Sequence, residues 1–339
     1  MKVLISGPHS RRTIIIKAKY VAAGVGAFVL LAAFAAGAQS VAYPVKPVRV
    51  VIPWPPGGGN DIAGRIVMQK VAESVGQQFT IDNRGGAGGT IGADLVAKSP
   101  PDGYTIMVQS VTHVGNAHLY KKLPYDTLKD FAPVGMLTGQ MAVLTVHPSL
   151  PVKTVKEFIA LAKARPNEIL YSTAGNGSIP HLSMALLGSM AGIQLVHVPY
   201  KGGGPQVIAL LAGESQASLA TVASVIVHIK SGRLRAIGVS AAQRANALPD
   251  VPTIAEAGVP GYEMSPWIGV FAPAGTTKPV IERLNAEINK ALKLPDVAQS
   301  LSGQALDPWT STPEEFAARL KTDYDKYAQL IKLTGAKID

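Results

Sequence analysis

Cysteine is absent from the 339 residues, which excludes disulfides, thiolate metal sites, a cysteine nucleophile and an acyl-cysteine anchor. Charge is also sparse, at 16% of residues. The lysines and arginines form no run of the kind that marks a nucleic-acid groove. The seven histidines lack H-E-x-x-H or comparable metal-ligand spacing, and no Walker A pattern occurs. Beyond the first forty residues no stretch is long and apolar enough to span a bilayer, and no fixed-period repeat appears. Nothing here requires a metal, a cofactor or a nucleic acid.

What is present is a chain 47% hydrophobic, with 34 glycines and 25 prolines spread along it as frequent turns. That is enough material for a buried core and for two domains of ordinary size. The formal charge of +10 divides unevenly. Residues 1–38 carry five cations and no acid, leaving 27 cations against 22 acids in the rest. Those 38 residues have the parts of a secretory signal: cations to Lys19, an apolar run from Tyr20 to Ala36, and small-x-small cleavage sites ending at Ala38 or Ala42. Ser10-Arg11-Arg12 resembles a twin-arginine signal, and a retained transmembrane anchor is the competing reading. The expectation is a signal peptide over 1–38 and a mature protein outside the cytoplasm.

The mature chain alternates strands and helices. Val48–Ile52, Phe79–Asp82, Tyr104–Gln109, Ile169–Thr173, Gln194–Val198, Gln216–Ala220 and Leu234–Ser240 read as strands. Asn60 and Asp61 stand where a helix N-cap belongs, Thr154 with Glu157 forms a capping box, and Thr312-Pro313-Glu314-Glu315 starts the last helix. Such alternation predicts an α/β fold with mainly parallel sheets covered on both faces. Two similar halves predict two lobes, with Val134–Val146 and Glu263–Phe271 crossing between them. Lobe 1 is then 43–139 plus 268–339, and lobe 2 is 140–267.

In open parallel sheets, ligands bind beyond the C-terminal strand ends, where loops enter helices. Two glycine-rich loops hold that position, Pro55–Asp61 in one half and Thr173–Ser178 in the other. Glycine lets backbone approach a ligand closely, and the unpaired N–H groups of a helix start favour an anion. Opposed across a cleft, the loops would hold the ends of one small carboxylate; ordinary turn chemistry is the plainer reading. Ser178 and His181 invite a serine-hydrolase reading, but no G-x-S-x-G elbow surrounds the serine. Gly85–Gly92 fails the G-x-G-x-x-G dinucleotide pattern. No catalytic residue is assigned.

Several blocks make the chain recognisable. Pro53-Trp54-Pro55-Pro56-Gly57-Gly58-Gly59-Asn60-Asp61 with Arg65, and Asp82-Asn83-Arg84-Gly85-Gly86-Ala87-Gly88-Gly89-Thr90-Ile91-Gly92, resemble the opening signatures of the tripartite tricarboxylate transporter receptors, the Bug family. Pro101–Thr105, His197-Val198-Pro199-Tyr200-Lys201-Gly202 and Phe271–Thr276 continue the resemblance in order over the mature chain. It implies a monomeric periplasmic receptor of the periplasmic-binding-protein fold, with an interlobe cleft that closes by hinge motion on a dicarboxylate, tricarboxylate or aromatic acid. Its partners would be transporter membrane subunits, or a membrane kinase if the receptor is sensory. By the same resemblance the ligand contacts fall on Pro56, Gly57, Gly58, Gly59, Asn60, Asp61, Ser110, Thr112, Thr173, Ala174, Gly175, Asn176, Gly177, Ser178 and His181. One departure stands out. Many relatives carry an acid where Gln216 stands and an Asp-Asn pair near Ala220-Thr221, which implies a less acidic cleft wall here and argues against recognition of a ligand amino group.

Overall fold

The computed structural model describes residues 43–336, so the signal-peptide expectation over 1–38 lies outside the described residues. No helix among the described residues is long and apolar enough to cross a membrane. The first half runs β1 (Val48–Ile52), α1 (Gly59–Val75), β2 (Phe79–Asn83), α2 (Thr90–Ala97), β3 (Thr105–Ser110), α3 (Thr112–Leu119) and β4 (Phe131–Gln140). Next come β5 (Ala142–Val146), α4 (Val155–Ala164), β6 (Leu170–Thr173), α5 (Ile179–Ala191), β7 (Val196–Pro199), α6 (Gly203–Leu211), β8 (Ala217–Thr221), α7 (Val222–Lys230) and β9 (Arg235–Val239). The chain ends with β10 (Trp267–Pro273), α8 (Lys278–Leu292), α9 (Pro295–Ser302), β11 (Leu306–Pro308) and α10 (Pro313–Thr334).

These strands build two sheets, one ordered β11-β4-β10-β3-β1-β2 and the other β7-β6-β8-β5-β9. Each is mixed. β1, β2 and β3 pair in parallel, while β10 runs antiparallel to both β3 and β4. In the second sheet β6, β7 and β8 are parallel, and β5 is antiparallel to β8 and β9. β11 runs antiparallel to β4 after following α9, whereas β5 and β10 are the strands by which the chain enters the second sheet and re-enters the first. These two arrive from the other sheet, not from a helical crossover, so nothing obliges them to be parallel.

Strand alternation sorts the core into layers. Val48, Val50 and Ile52 of β1 with Ile106 and Val108 of β3 face a cluster shared with α1 and α8, whereas Val51 and Met107 face the opposite way. In the second sheet, Val143 and Ala220 face α6 and α7, while Leu144 and Leu219 join Val51 and Met107 in one continuous cluster. That shared cluster also holds Phe158 of α4, Leu182 of α5, and Phe316, Tyr327 and Leu330 of α10. The last helix thus packs against α3 beside the first sheet and α5 beside the second. Thr312 caps it with a complete capping box, its Oγ1 accepting from the Glu315 N–H and the Glu315 carboxylate from the Thr312 N–H. At Thr154 the box is only half made, because the Glu157 carboxylate takes the N–H of Lys153 instead. The cap proposed at Asn60 and Asp61 moves two residues back: Gly58 is the extended N-cap, and both residues lie in the first turn.

Only Met141 separates β4 from β5, and the return path between sheets runs from β9 through residues 240–266 to β10. Ser240, fully buried, ties the two passages together. Its Oγ accepts the Ala142 N–H at 3.0 Å and donates to the Met264 carbonyl at 2.8 Å.

Two imidazoles, His113 and His181, are buried, and a third, His197, is half-buried. His113 lies against Tyr125, Phe131 and Phe271, and His181 stacks face to face on His197 with ring centroids 4.3 Å apart. Burial pushes all three pKa values down from 6.5 to about 4, with the neighbouring His197 ring adding to the effect at His181. The folded state therefore keeps them neutral, while the unfolded chain takes up protons below pH 6.5. Their contribution to stability is intact above pH 6.5 and is lost progressively as pH falls towards 4. Asp61 and Asp82 are held below the usual carboxylate value and titrate beneath that window. The urea midpoint should fall steadily from pH 6.5 to 4, less steeply in His113→Gln; a midpoint flat across that range contradicts this account. Replacing Ser240 with Ala removes one donor and one acceptor from buried backbone partners and should cost about 2 kcal/mol in urea unfolding. A loss below about 0.5 kcal/mol would show that the tie carries no load.

Candidate functional site

Five helices begin at one cavity. The starts of α1 and α3 come from the first half, and those of α5, α6 and α7 from the second; each helix follows a strand of one of the two sheets. The cavity measures about 40 Å³, and its lining contains no Asp, Glu, Lys or Arg.

The first wall is set by the turn after β1. Gly57 takes φ +87°, a conformation costly for any residue with a Cβ, and its N–H donates to Asp61 Oδ2 at 3.0 Å. Asp61 Oδ1 accepts from Arg65 and from the Asn83 amide, at 2.9 and 3.0 Å. Burial raises the Asp61 pKa, but the bonds from Arg65, Gly57 and Asn83 outweigh it and hold the carboxyl below its usual range. Gly58, Gly59 and Asn60 then face the cavity. A Cβ on Gly59 would lie 1.9 Å from Gln140 Nε2, so only glycine lets the Gln140 amide lie against the start of α1. A Cβ on Gly58 would meet nothing within 4 Å. Ser110 and Thr112 extend this wall, their hydroxyls 3.0 Å apart.

The second wall is held from behind by stacked rings. Tyr171, His197 and His181 lie face to face, at 5.0 and 4.3 Å between successive centroids. Thr173 Oγ1 accepts the Gly175 N–H and bonds His197 Nε2 at 2.7 Å. His181 Nδ1 accepts the Gly177 N–H at 3.1 Å and so closes the turn before α5, while the side chain of Ser178, the N-cap residue, makes no capping bond. That acceptor role places the proton of neutral His181 on Nε2, so neither ring nitrogen is free to act as a base for Ser178. His181 is a loop brace and makes no hydrogen bond to Ser178. Ser178 Oγ is itself buried and has no hydrogen-bond partner in the protein.

Of the residues singled out in the sequence, Gly58, Gly59, Asn60, Ser110, Thr112, Ala174 and Ser178 line the cavity. Pro56, Gly175 and Asn176 line a larger outer chamber of about 820 Å³, with Gly85–Gly88, Tyr120 and Pro199–Gly202. Gly57, Asp61, Thr173, Gly177 and His181 line neither chamber; the first four shape or brace the loops, and His181 opens onto a groove behind them. Trp54 and Ala174 border both chambers. Gln216 also lies elsewhere: it precedes β8, and its Oε1 accepts the Leu170 N–H at 2.7 Å, so it forms no part of the cleft wall.

Sequence reading did not assign Gln140, Ile179, Pro180, Gly203, Gln206 or Ser224 to the site, and named Thr221 only as part of the cleft wall. Gly202-Gly203-Gly204 before a helix repeats the signal that marked Gly57-Gly58-Gly59, and would have revealed the α6 start. Gln140 had no local signal, because it meets Gly59 only through the pairing of β4 in the sheet. The two halves touch around the cavity. A Cβ on Gly202 would lie 2.7 Å from the Pro55 ring, and one on Gly88 would lie 3.1 Å from the Asn176 carbonyl oxygen.

Comparison with known proteins agrees with this geometry. The chain matches the Tripartite tricarboxylate transporter family receptor over residues 63–336. It is 36% identical over 317 residues to Protein BugT of Bordetella pertussis (strain Tohama I), covering 93% of this chain and 97% of that one. Among solved structures it resembles Rpa4515 of R. palustris with adipate, with a TM-score of 0.85 and 33% identity over 87% of this chain and 100% of that one. MatC of Rhodopseudomonas palustris with bound malate superposes with a TM-score of 0.81 and 31% identity over 85% of this chain and 100% of that one. The fold is that of periplasmic binding proteins, and the family is one of solute-binding receptors, not enzymes. Five helix starts around one uncharged cavity, on this fold and with these relatives, place the chain in the tripartite tricarboxylate transporter receptor family, the Bug proteins.

Proposed function

We propose that the protein captures a small organic carboxylate in this cavity, outside the cytoplasm, and delivers it to the membrane subunits of a tripartite tricarboxylate-type transporter. The carrying observation is the convergence of five helix N-termini on a cavity whose lining has no charged side chain. The first N–H groups of each helix lack an intrahelical carbonyl, and each helix start carries a partial positive charge. One such terminus stabilises an anion by about 0.3–1 kcal/mol at a surface and up to about 2 kcal/mol when partly buried. Several together in a confined space favour an anion and disfavour a cation. Adipate bound to Rpa4515 and malate bound to MatC support a carboxylate as that anion.

In this reading 43–139 with 268–339 forms one lobe and 140–267 the other, and the ligand is gripped where they meet. Gly58–Asn60, Ser110 and Thr112 present one side. Ala174, Ser178, Gly203, Thr221 and Ser224 present the other. Pro56, Gly175 and Asn176 guard the approach from the outer chamber. Gly57, Asp61, Thr173, Gly177 and His181 hold the two loops in shape. Membership of the family supports delivery to a transporter.

A thermal-shift screen of mono-, di- and tricarboxylates tests capture directly. A ligand at about one hundred times its Kd adds about 2.7 kcal/mol to native stability, a rise of several degrees in Tm. No rise with any acid in a broad screen would refute the reading. Gly58→Trp has room for its first side-chain atom and then fills the cavity mouth, so it should weaken binding of the best acid by at least about tenfold while Tm without ligand stays close to wild type. Unchanged affinity in calorimetry would put the ligand elsewhere.

A further inference from the structure

We infer that the ligand of this receptor carries a hydroxyl group beside its carboxylate, and that the Asn60 side-chain carbonyl reads it; this rests on the carboxylate reading above. The argument starts from a fixed amide polarity. Gln109 Oε1 accepts from the Trp54 indole N–H at 2.6 Å and from the Ser110 backbone N–H at 2.8 Å. Neither group can act as an acceptor, so that end of Gln109 is the oxygen. Asn60 approaches the same oxygen at 3.3 Å and must turn its NH₂ towards it. Its Oδ1 is thereby aimed the other way. Asn60 is 7% exposed and lines the cavity, and its Oδ1 is buried without any donor from the protein.

A carboxylate cannot satisfy that oxygen, because it only accepts hydrogen bonds. The hydroxyls around the cavity, Ser178, Thr221 and Ser224, rotate to donate or accept and so impose no polarity on a ligand. An amide oxygen with a fixed orientation does impose one. Gln140, whose amide lies against Gly59 beside Asn60, makes no hydrogen bond that fixes its amide ends and so imposes no polarity of its own. The missing donor belongs on the ligand. An ammonium group would serve chemically, but five helix starts and no acidic lining residue oppose a cation in this cavity. A hydroxyl brings the donor without the charge. Leaving the oxygen unmet costs the complex its desolvation, so hydroxylated and deoxy acids of one skeleton should differ by about tenfold or more.

Isothermal titration of the wild-type receptor with matched pairs tests this: malate and succinate, citrate and tricarballylate, mandelate and phenylacetate, with aspartate as the amino counterpart of malate. In a skeleton that binds, the hydroxy acid should bind about tenfold or more tightly than its deoxy partner, and aspartate should bind more weakly than malate. Asn60→Leu keeps the side chain's shape and removes its oxygen. It should bring the ratio within a pair close to one, and Asn60→Ala should do the same if the isosteric variant folds poorly. Equal affinities within wild-type pairs, as when a bridging water serves Asn60 instead, would overturn the inference while leaving carboxylate capture standing. A hydroxyl preference that survives both substitutions would overturn the role of Asn60. Tighter binding of aspartate than malate would overturn the hydroxyl in favour of an ammonium. Failure of every acid to bind would overturn both this inference and the reading beneath it.

Discussion

An N–H group at the start of a helix has no carbonyl of its own, and this structure collects five sets of them at one point. That constraint organises the rest of the molecule. To bring five helix starts together, the strands before them must end at one place, which the parallel members β1, β3, β6, β7 and β8 achieve from two sheets. The loops between must let backbone approach backbone, which favours glycine at Gly57–Gly59, Gly175, Gly177 and Gly202–Gly204. Each loop also needs bracing from behind, since the groups that shape it are not the groups that would face a ligand. Asp61 with Arg65 and Asn83 braces one loop, and the Tyr171–His197–His181 stack braces the other. Charge is spent on the brace and kept out of the cavity.

The same economy shows in how the two halves are joined. Behind the cavity one hydrophobic cluster runs unbroken from Val51 and Met107 through Leu144 and Leu219, and α10 lays Phe316, Tyr327 and Leu330 across it. Ser240 binds the two passages of chain between the sheets through a single hydroxyl. The site therefore lies at a boundary where the halves meet largely through loops, with Ala174 and Ala223 of the second half packed on the first half's apolar cluster. A boundary of glycine, proline and backbone carbonyls has little apolar area to lose on opening.

Much of this was legible in the sequence because it is local. Strands β1, β2, β6 and β8 were read to within a residue from apolar runs bounded by turns, and the two glycine loops were found from composition and position. The family blocks sharpened that reading. What escaped was set by distance along the chain. The antiparallel β10 and β5 have the same composition as parallel strands, so only their pairing reveals the mixed sheets. Gln140 reads as a polar end to an apolar strand until Gly59 is brought against it. At Asn60 and Asp61 the residue types pointed to an N-cap, but Gly58 took that place. Asp61 could then reach back to the N–H of Gly57, whose φ of +87° shapes the turn. His181 had two readings, ligand contact and catalytic base, and its ring instead closes the turn at Gly177.

The Pro55–Gly202 contact has a consequence for how such a receptor can diversify. A proline ring set against a residue with no side chain is a seal of fixed clearance: it has no rotamer to adjust and no flexible chain to give way. Even a methyl group at position 202 would hold the two edges apart. Such a rim has no gradual adjustment, because any side chain at position 202 would force the Pro55 edge to move. Variation in size and polarity is left to the interior walls, at positions such as Gln140, Thr221 and Ser224. The rim and the walls thus answer to different demands, one mechanical and one chemical.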